Sequence, residues 1–119
     1  MNFRFSGINI NSEEPQKTFE FYKKLGFRIT ETAEVDNEWY GATFALEGEK
    51  NEPQIWIWRR QEGDKPINNQ FVFDTDNKLD ELYEQFKEAG IDCKPPITAE
   101  WGGRELLLTD PDGNTLLFL

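Results

Sequence analysis

The 119 residues predict an α+β fold built from two βαβββ modules. Three observations carry this. The chain repeats itself weakly: Phe19-Glu20-Phe21-Tyr22-Lys23-Lys24-Leu25-Gly26-Phe27 aligns with Tyr83-Glu84-Gln85-Phe86-Lys87-Glu88-Ala89-Gly90-Ile91 at a constant offset of 64 (83 − 19 and 90 − 26). Both stretches space their apolar residues as a helix does and end in Gly, the usual left-handed residue just past a helix. Strand-like runs surround each helix in the same order, one before and three after. A lone βαβββ unit leaves one sheet face uncovered; pairing two units closes a cupped mixed sheet with the helices outside.

Phe3 to Ile10 reads as the first strand. Ser12, ahead of Glu13, Glu14 and Pro15, reads as a helix start with Pro in the first turn. Arg28 to Val35, Trp39 to Leu46 and Gln54 to Arg60 follow as strands, punctuated by the turn clusters Asp36-Asn37 and Gly48 to Asn51. Gln61 to Pro66 reads as a linker, giving one domain over 1–119 with module 1 at about 1–62 and module 2 at about 66–119. Gln70 to Asp74 opens the second module, and Asp76 or Asn77 can cap its helix. Cys93 to Thr98, Arg104 to Thr109 and Thr115 to Leu119 complete it. Between the last two strands, Asp110-Pro111-Asp112-Gly113-Asn114 is a hairpin turn: Pro pre-sets its first position, and Gly and Asn tolerate positive φ.

Composition narrows the function. Aromatic residues make up 14%, with ten Phe and four Trp, so a core is within reach despite 30% charged residues. The net charge of −10 repels phosphate backbones, so neither nucleic acid nor an anionic membrane is an expected partner, whereas a cationic ligand is attracted. No apolar run approaches the ~20 residues of a membrane span. Cys93 has no disulfide partner, and Met1-Asn2-Phe3-Arg4-Phe5 lacks a signal-peptide stretch; both fit the cytoplasm. Cys93 itself reads as a plain, part-buried thiol. The absence of His excludes His-based acid–base and nucleophile chemistry within the chain and removes the commonest transition-metal ligand.

The terminal stretch from Trp101 to Leu119, with its Asp-Pro-Asp-Gly-Asn turn, resembles the end of a domain of the glyoxalase / bleomycin-resistance / extradiol-dioxygenase (vicinal oxygen chelate) superfamily. Phe19 to Phe27 and Leu79-Asp80-Glu81-Leu82-Tyr83 resemble its helix motifs, so the resemblance covers nearly the whole chain. It implies the glyoxalase/bleomycin-resistance fold. In the metalloenzymes of this family the ligands stand on the first and fourth strands of each half, facing the cup. By resemblance these places fall at Ser6 or Gly7, about Trp56, Gln70 and Leu117. Only Gln70 could ligate, and one amide oxygen does not hold a divalent ion against water. No metal or other cofactor is therefore expected.

Strand alternation puts Gln54, Trp56, Trp58 and Arg60 on one face and Ile55, Ile57 and Arg59 on the other. Two readings of Trp56 and Trp58 stand: with Leu117 they line a small-molecule pocket, or they pack as a core pair against a helix. Trp101-Gly102-Gly103-Arg104-Glu105 is similar to the Trp-Gly-Arg-Glu-Phe stretch of bleomycin-resistance proteins, with one extra Gly. Those are dimers that bind cationic glycopeptide drugs in crevices between subunits and do no chemistry. The resemblance implies that Trp101 and Trp39 (in Trp39-Tyr40-Gly41) stack on a planar ligand, with Glu105 as an acceptor for its charge. Each Trp can equally be a loop anchor or a dimer contact, and Arg59, Arg60 and Arg104 could receive an anion or simply pair with some of the 23 carboxylates. Asp110 and Asp112 read as turn residues that bond their own backbone.

Three functions are in view. The first is a metal-free, homodimeric binding protein of the bleomycin-resistance type, which sequesters an aromatic, cationic small molecule and so confers antibiotic resistance. Its ligand-binding residues are Trp39, Trp56, Trp58, Trp101, Glu105 and Leu117. The second is a metal-dependent lyase, isomerase or dioxygenase of the same superfamily with a relocated carboxylate site. The third is a dimerising module whose aromatic surface makes only the subunit interface.

Overall fold

The computed structural model describes residues 2, 5–35, 38–45 and 53–119, without the side chains of 31, 33, 35 and 38–45. The expected turns at 36–37 and 48–51, and the ends of the expected strands at residues 3, 4 and 46, lie outside the described residues. The chain divides into two compact units, Met1–Ile67 and Asn68–Leu119.

The first unit runs β1 (Gly7–Ser12), α1 (Pro15–Lys24), β2 (Arg28–Val35), β3 (Glu38–Ala45) and β4 (Gln54–Arg59). The second runs β5 (Gln70–Phe73), α2 (Leu79–Glu88), β6 (Ile97–Thr98), β7 (Arg104–Thr109) and β8 (Thr115–Phe118). Each is βαβββ, as the repeat implied. The sheets have matching orders, β1-β4-β3-β2 and β5-β8-β7-β6. In each, the first strand runs parallel to the fourth and the other pairs are antiparallel.

The helices bury the stripe their spacing dictates. Pro15, Thr18, Phe19 and Tyr22 are buried on α1, which packs on β3 and β4. Leu79 and Phe86, two turns apart, are buried on α2, and Phe86 meets Phe118 edge-on at 5.4 Å. The repeated Gly closes both helices in the same way. Gly26 (φ +97°) donates to the Lys23 carbonyl and Phe27 to that of Tyr22; Gly90 (φ +73°) donates to Lys87 and Ile91 to Phe86. These are Schellman pairs, and the Tyr22 and Phe27 rings touch across the first at 5.4 Å, the apolar contact the motif favours.

The helix starts differ from expectation. Ser12 does not cap α1: it ends β1, is wholly buried, and its hydroxyl donates to Thr18 Oγ1 at 3.3 Å, tying the strand end to the helix. Glu14 holds the cap position without a side-chain bond. Asp76 and Asn77 do not cap α2 either. Both adopt left-handed conformations (φ +53° and +63°), in a turn where Asp74 Oδ1 accepts the Asp76 amide at 2.8 Å, and Lys78 takes the cap position.

The Asp110–Asn114 turn is built by side chains. Asp110 Oδ1 accepts the amides of Asp112 and Asn114, each at 2.9 Å, and Oδ2 accepts the Asn114 side-chain amide at 2.8 Å. Asn114 Oδ1 in turn accepts from the Asn69 backbone amide at 2.9 Å. Gly113 takes the positive φ (+87°), whereas Asn114 does not; it is present for its side chain, which stitches the β7–β8 hairpin to the residue that leads into β5.

Candidate functional site

In the first unit, β4 alternates as its sequence suggested. Ile55 and Ile57 are buried and pair with Ile8 and Ile10 of β1. Trp56 and Trp58 share the other face, alongside Asn9 and Asn11; Trp56 is half-buried and Trp58 is 43% exposed. Trp39 lies on β3 opposite Glu34, and its side chain is outside the described residues.

The register also relates the positions that the resemblance matched to family metal ligands. Gly7 stands opposite Gln54 and Gln70 opposite Thr115, so Gly7 and Gln70 are equivalent, as are Trp56 and Leu117 two residues further along. Gly7 (φ +150°) leaves no room for a side chain: a Cβ built on it would overlap the Gln54 carbonyl oxygen and come within 2.7 Å of the Gln54 nitrogen and the Trp56 ring. The Gln54 backbone and the Trp56 ring together take up the space that a side chain at this position would need. Among the described residues, no three His, Cys, Asp or Glu side chains converge as metal donors. Gly7, Trp56, Gln70 and Leu117 do not fit a bound divalent ion.

In the second unit, Leu106, Leu108, Leu116 and Phe118 are buried, while Val72, Leu107 and Leu117 lie side by side on the opposite sheet face. Glu105 follows on that face by alternation with Leu107. Val72 and Leu107 are 58% and 43% exposed, so this face carries an apolar stripe.

Trp101 sits at the tip of the loop joining β6 to β7. Two backbone bonds close the loop: Ala99 donates to the Gly103 carbonyl at 2.7 Å and Gly102 to that of Ala99 at 2.9 Å. The six-membered ring of Trp101 lies directly on the Gly103 backbone, so closely that a Cβ there would fall within the ring. The extra glycine of this loop is thus the seat of the indole. Gly103 covers one ring face, and with Trp101 65% exposed the other is open.

Trp101 forms part of the wall of an open cleft of about 580 Å³ that lies wholly within the second unit. Val72, Leu79 and Leu119 supply the rest of its apolar wall. Leu119 is held there because its amide donates to the Phe73 carbonyl and its own carbonyl accepts from the Thr75 amide and hydroxyl, at 2.8 and 2.6 Å. Asp74, Thr75 and Asn77 form the polar rim. Arg104 and Asp80 close one side through two hydrogen bonds, Nη1 to Oδ2 at 2.8 Å and Nη2 to Oδ1 at 2.7 Å. The guanidinium holds the Asp80 carboxyl below the usual carboxylate range, and that bond in turn raises the Arg104 pKa.

Of the expected ligand-binding residues, only Trp101 belongs to this cleft; Glu105 and Leu117 stand on β7 and β8 away from its walls. Asp74 was not among the expected residues. Strand-end carboxylates usually serve turns, and Asp74 does that too. Of the two readings of Arg104, receiving an anion or pairing with a carboxylate of the chain, the structure shows the second: Asp80 holds it. Cys93 is half-buried; burial, then the Asp92 charge, push its thiol pKa up against a smaller opposing effect of Lys87. It is a poor nucleophile at neutral pH.

The chain belongs to the Glyoxalase/Bleomycin resistance protein/Dioxygenase superfamily, whose family model matches residues 4–118. A superfamily member from Sphaerobacter thermophilus shares 24% identity, with 98% of this chain and 96% of that one covered and a TM-score of 0.75. A bleomycin-binding protein solved in complex with bleomycin shares 23%, covering 99% and 97%, with a TM-score of 0.66. A lactoylglutathione lyase from Agrobacterium tumefaciens shares 15%, covering 98% and 92%, with a TM-score of 0.70. The α+β architecture is that of the glyoxalase/bleomycin-resistance fold. Comparison with curated proteins gave no significant match. Among the described residues no helix is long and apolar enough to cross a membrane.

Proposed function

We propose that the chain is a metal-free small-molecule-binding protein of the bleomycin-resistance kind, sequestering an aromatic, cationic ligand. The observation that carries this is Trp101: its ring rests on Gly103 with one face open, in a cleft walled by apolar side chains. Flat ligands gain from such a platform beyond the area they bury. The net charge of −10 favours a cation, and Gly7, closed in by the Gln54 backbone and the Trp56 ring, offers no metal donor at that position. Kinship in fold to a bleomycin-binding protein agrees with this reading. Trp39, Trp56, Trp58, Glu105 and Leu117 remain proposed ligand-binding residues, each open to its own alanine variant.

The same reading makes the protein a cytoplasmic homodimer that confers resistance by sequestration. The test is a bleomycin titration followed by tryptophan fluorescence, beside elemental analysis of protein purified without a metal-affinity column. Saturable quenching with no stoichiometric metal is expected. About one Ni, Zn, Mn or Fe per chain would move the assignment to a metalloenzyme with a relocated carboxylate site. A monomer mass in light scattering at micromolar concentration would remove the dimer.

A further inference from the structure

Charge in the Trp101 cleft is unevenly disposed. Arg104 spends its planar fork on Asp80, with both oxygens of that carboxylate engaged, so the pair brings the cleft no net charge. Asp74 differs. Among the described residues its Oδ1 accepts from the neutral Asp76 amide, its side chain lies at an exposed strand end, and it lines the same cleft as Trp101. The cleft thus combines the largely exposed Trp101 indole, apolar walls at Val72 and Leu119, and the negative charge of Asp74.

We propose that Asp74 is the specificity-determining residue of this cleft, which takes a planar organic monocation stacked on Trp101 with Asp74 as its counter-charge. This rests on the binding function proposed above and names the residue that selects the charge of its ligand. Two effects favour the cation over a neutral molecule of the same shape. The indole face is negative, so a cationic ring gains more from stacking than a neutral one. The Asp74 carboxylate adds an attraction that water weakens but does not abolish. Anionic rings meet Asp74 and find the nearest guanidinium already committed to Asp80.

The experiment is calorimetric titration of the full chain at pH 8 with N-methylacridinium and with acridine, which is neutral there. Wild type is expected to bind the cation about two- to fivefold more tightly than acridine, a preference that shrinks as salt rises. Asp74→Asn keeps an acceptor for the Asp76 amide while removing the charge, and should bring the ratio close to one. Asp92→Asn, the same charge change outside the cleft, should leave the preference in place. Trp101→Ala should weaken the cation about three- to tenfold. A preference that persists in Asp74→Asn, or is missing in wild type, overturns the proposal. If bleomycin still quenches the wild type in that case, the binding function stands and only the role of Asp74 falls. If neither acridine nor bleomycin binds, both fall together.

Discussion

Arg104 grips Asp80 across 24 residues of chain, through two hydrogen bonds of 2.8 and 2.7 Å, joining the start of β7 to the first turn of α2. The bond fixes the side of the cleft next to Trp101. The pair is largely exposed, at 48% and 70%, so its value lies in geometry more than in stability.

Asp80 should therefore titrate below the ordinary carboxylate range, and Arg104→Ala should return it there. A carboxylate whose folded pKa is depressed contributes fully above its unfolded pKa. Its contribution fades as pH falls through the folded value. The clamp is intact at neutral pH and opens only in acid. Carboxyl carbon shifts followed by NMR in both proteins check this; an Asp80 pKa unmoved by Arg104→Ala would show that the two do not pair in solution.

Gly103→Ala should displace the Trp101 ring while leaving the fold intact. Gly103 needs no left-handed backbone, so the conflict is with the indole alone. Tryptophan emission should shift, bleomycin binding should weaken several-fold, and unfolding free energy should change by less than about 1 kcal/mol. A large loss of stability with unchanged binding would mean that the glycine serves the loop and not the ring.

Asn114→Ala should cost about 1–3 kcal/mol in urea unfolding, because it removes the acceptor of the Asn69 amide and a buried hydrogen bond to Asp110. Asp110→Ala should cost a similar amount. The double variant should cost less than the sum, since both changes remove the bond from the Asn114 side-chain amide to Asp110 Oδ2.

Cys93 should alkylate slowly at pH 7, with a rate midpoint above that of a free thiol, because burial and Asp92 both disfavour the thiolate. The iodoacetamide rate against pH measures it. Rapid labelling at neutral pH would contradict the burial seen here.

The fold was legible because it repeats. Helical spacing that closes in Gly26 and again in Gly90 marked both helices, and alternation at Gln54–Arg59 set Trp56 and Trp58 on one face. The helix starts were less legible. Ser12, Asp76 and Asn77 have the chemistry of caps, but burial recruited Ser12 to Thr18, and left-handed geometry placed the other two in a turn. At the candidate site, Trp101 stood out as a loop aromatic. Its seat on Gly103, the Arg104–Asp80 clamp and the position of Asp74 depend on contacts between elements far apart in sequence, which no local pattern encodes.

The central claim, that Trp101 is a ligand platform, is tested most directly by titrating bleomycin into wild type and Trp101→Ala and reading the affinity by calorimetry. Removing the stacking surface should weaken binding about three- to tenfold, with the melting temperature nearly unchanged because the residue is 65% exposed. Equal affinity in the two proteins would contradict the claim.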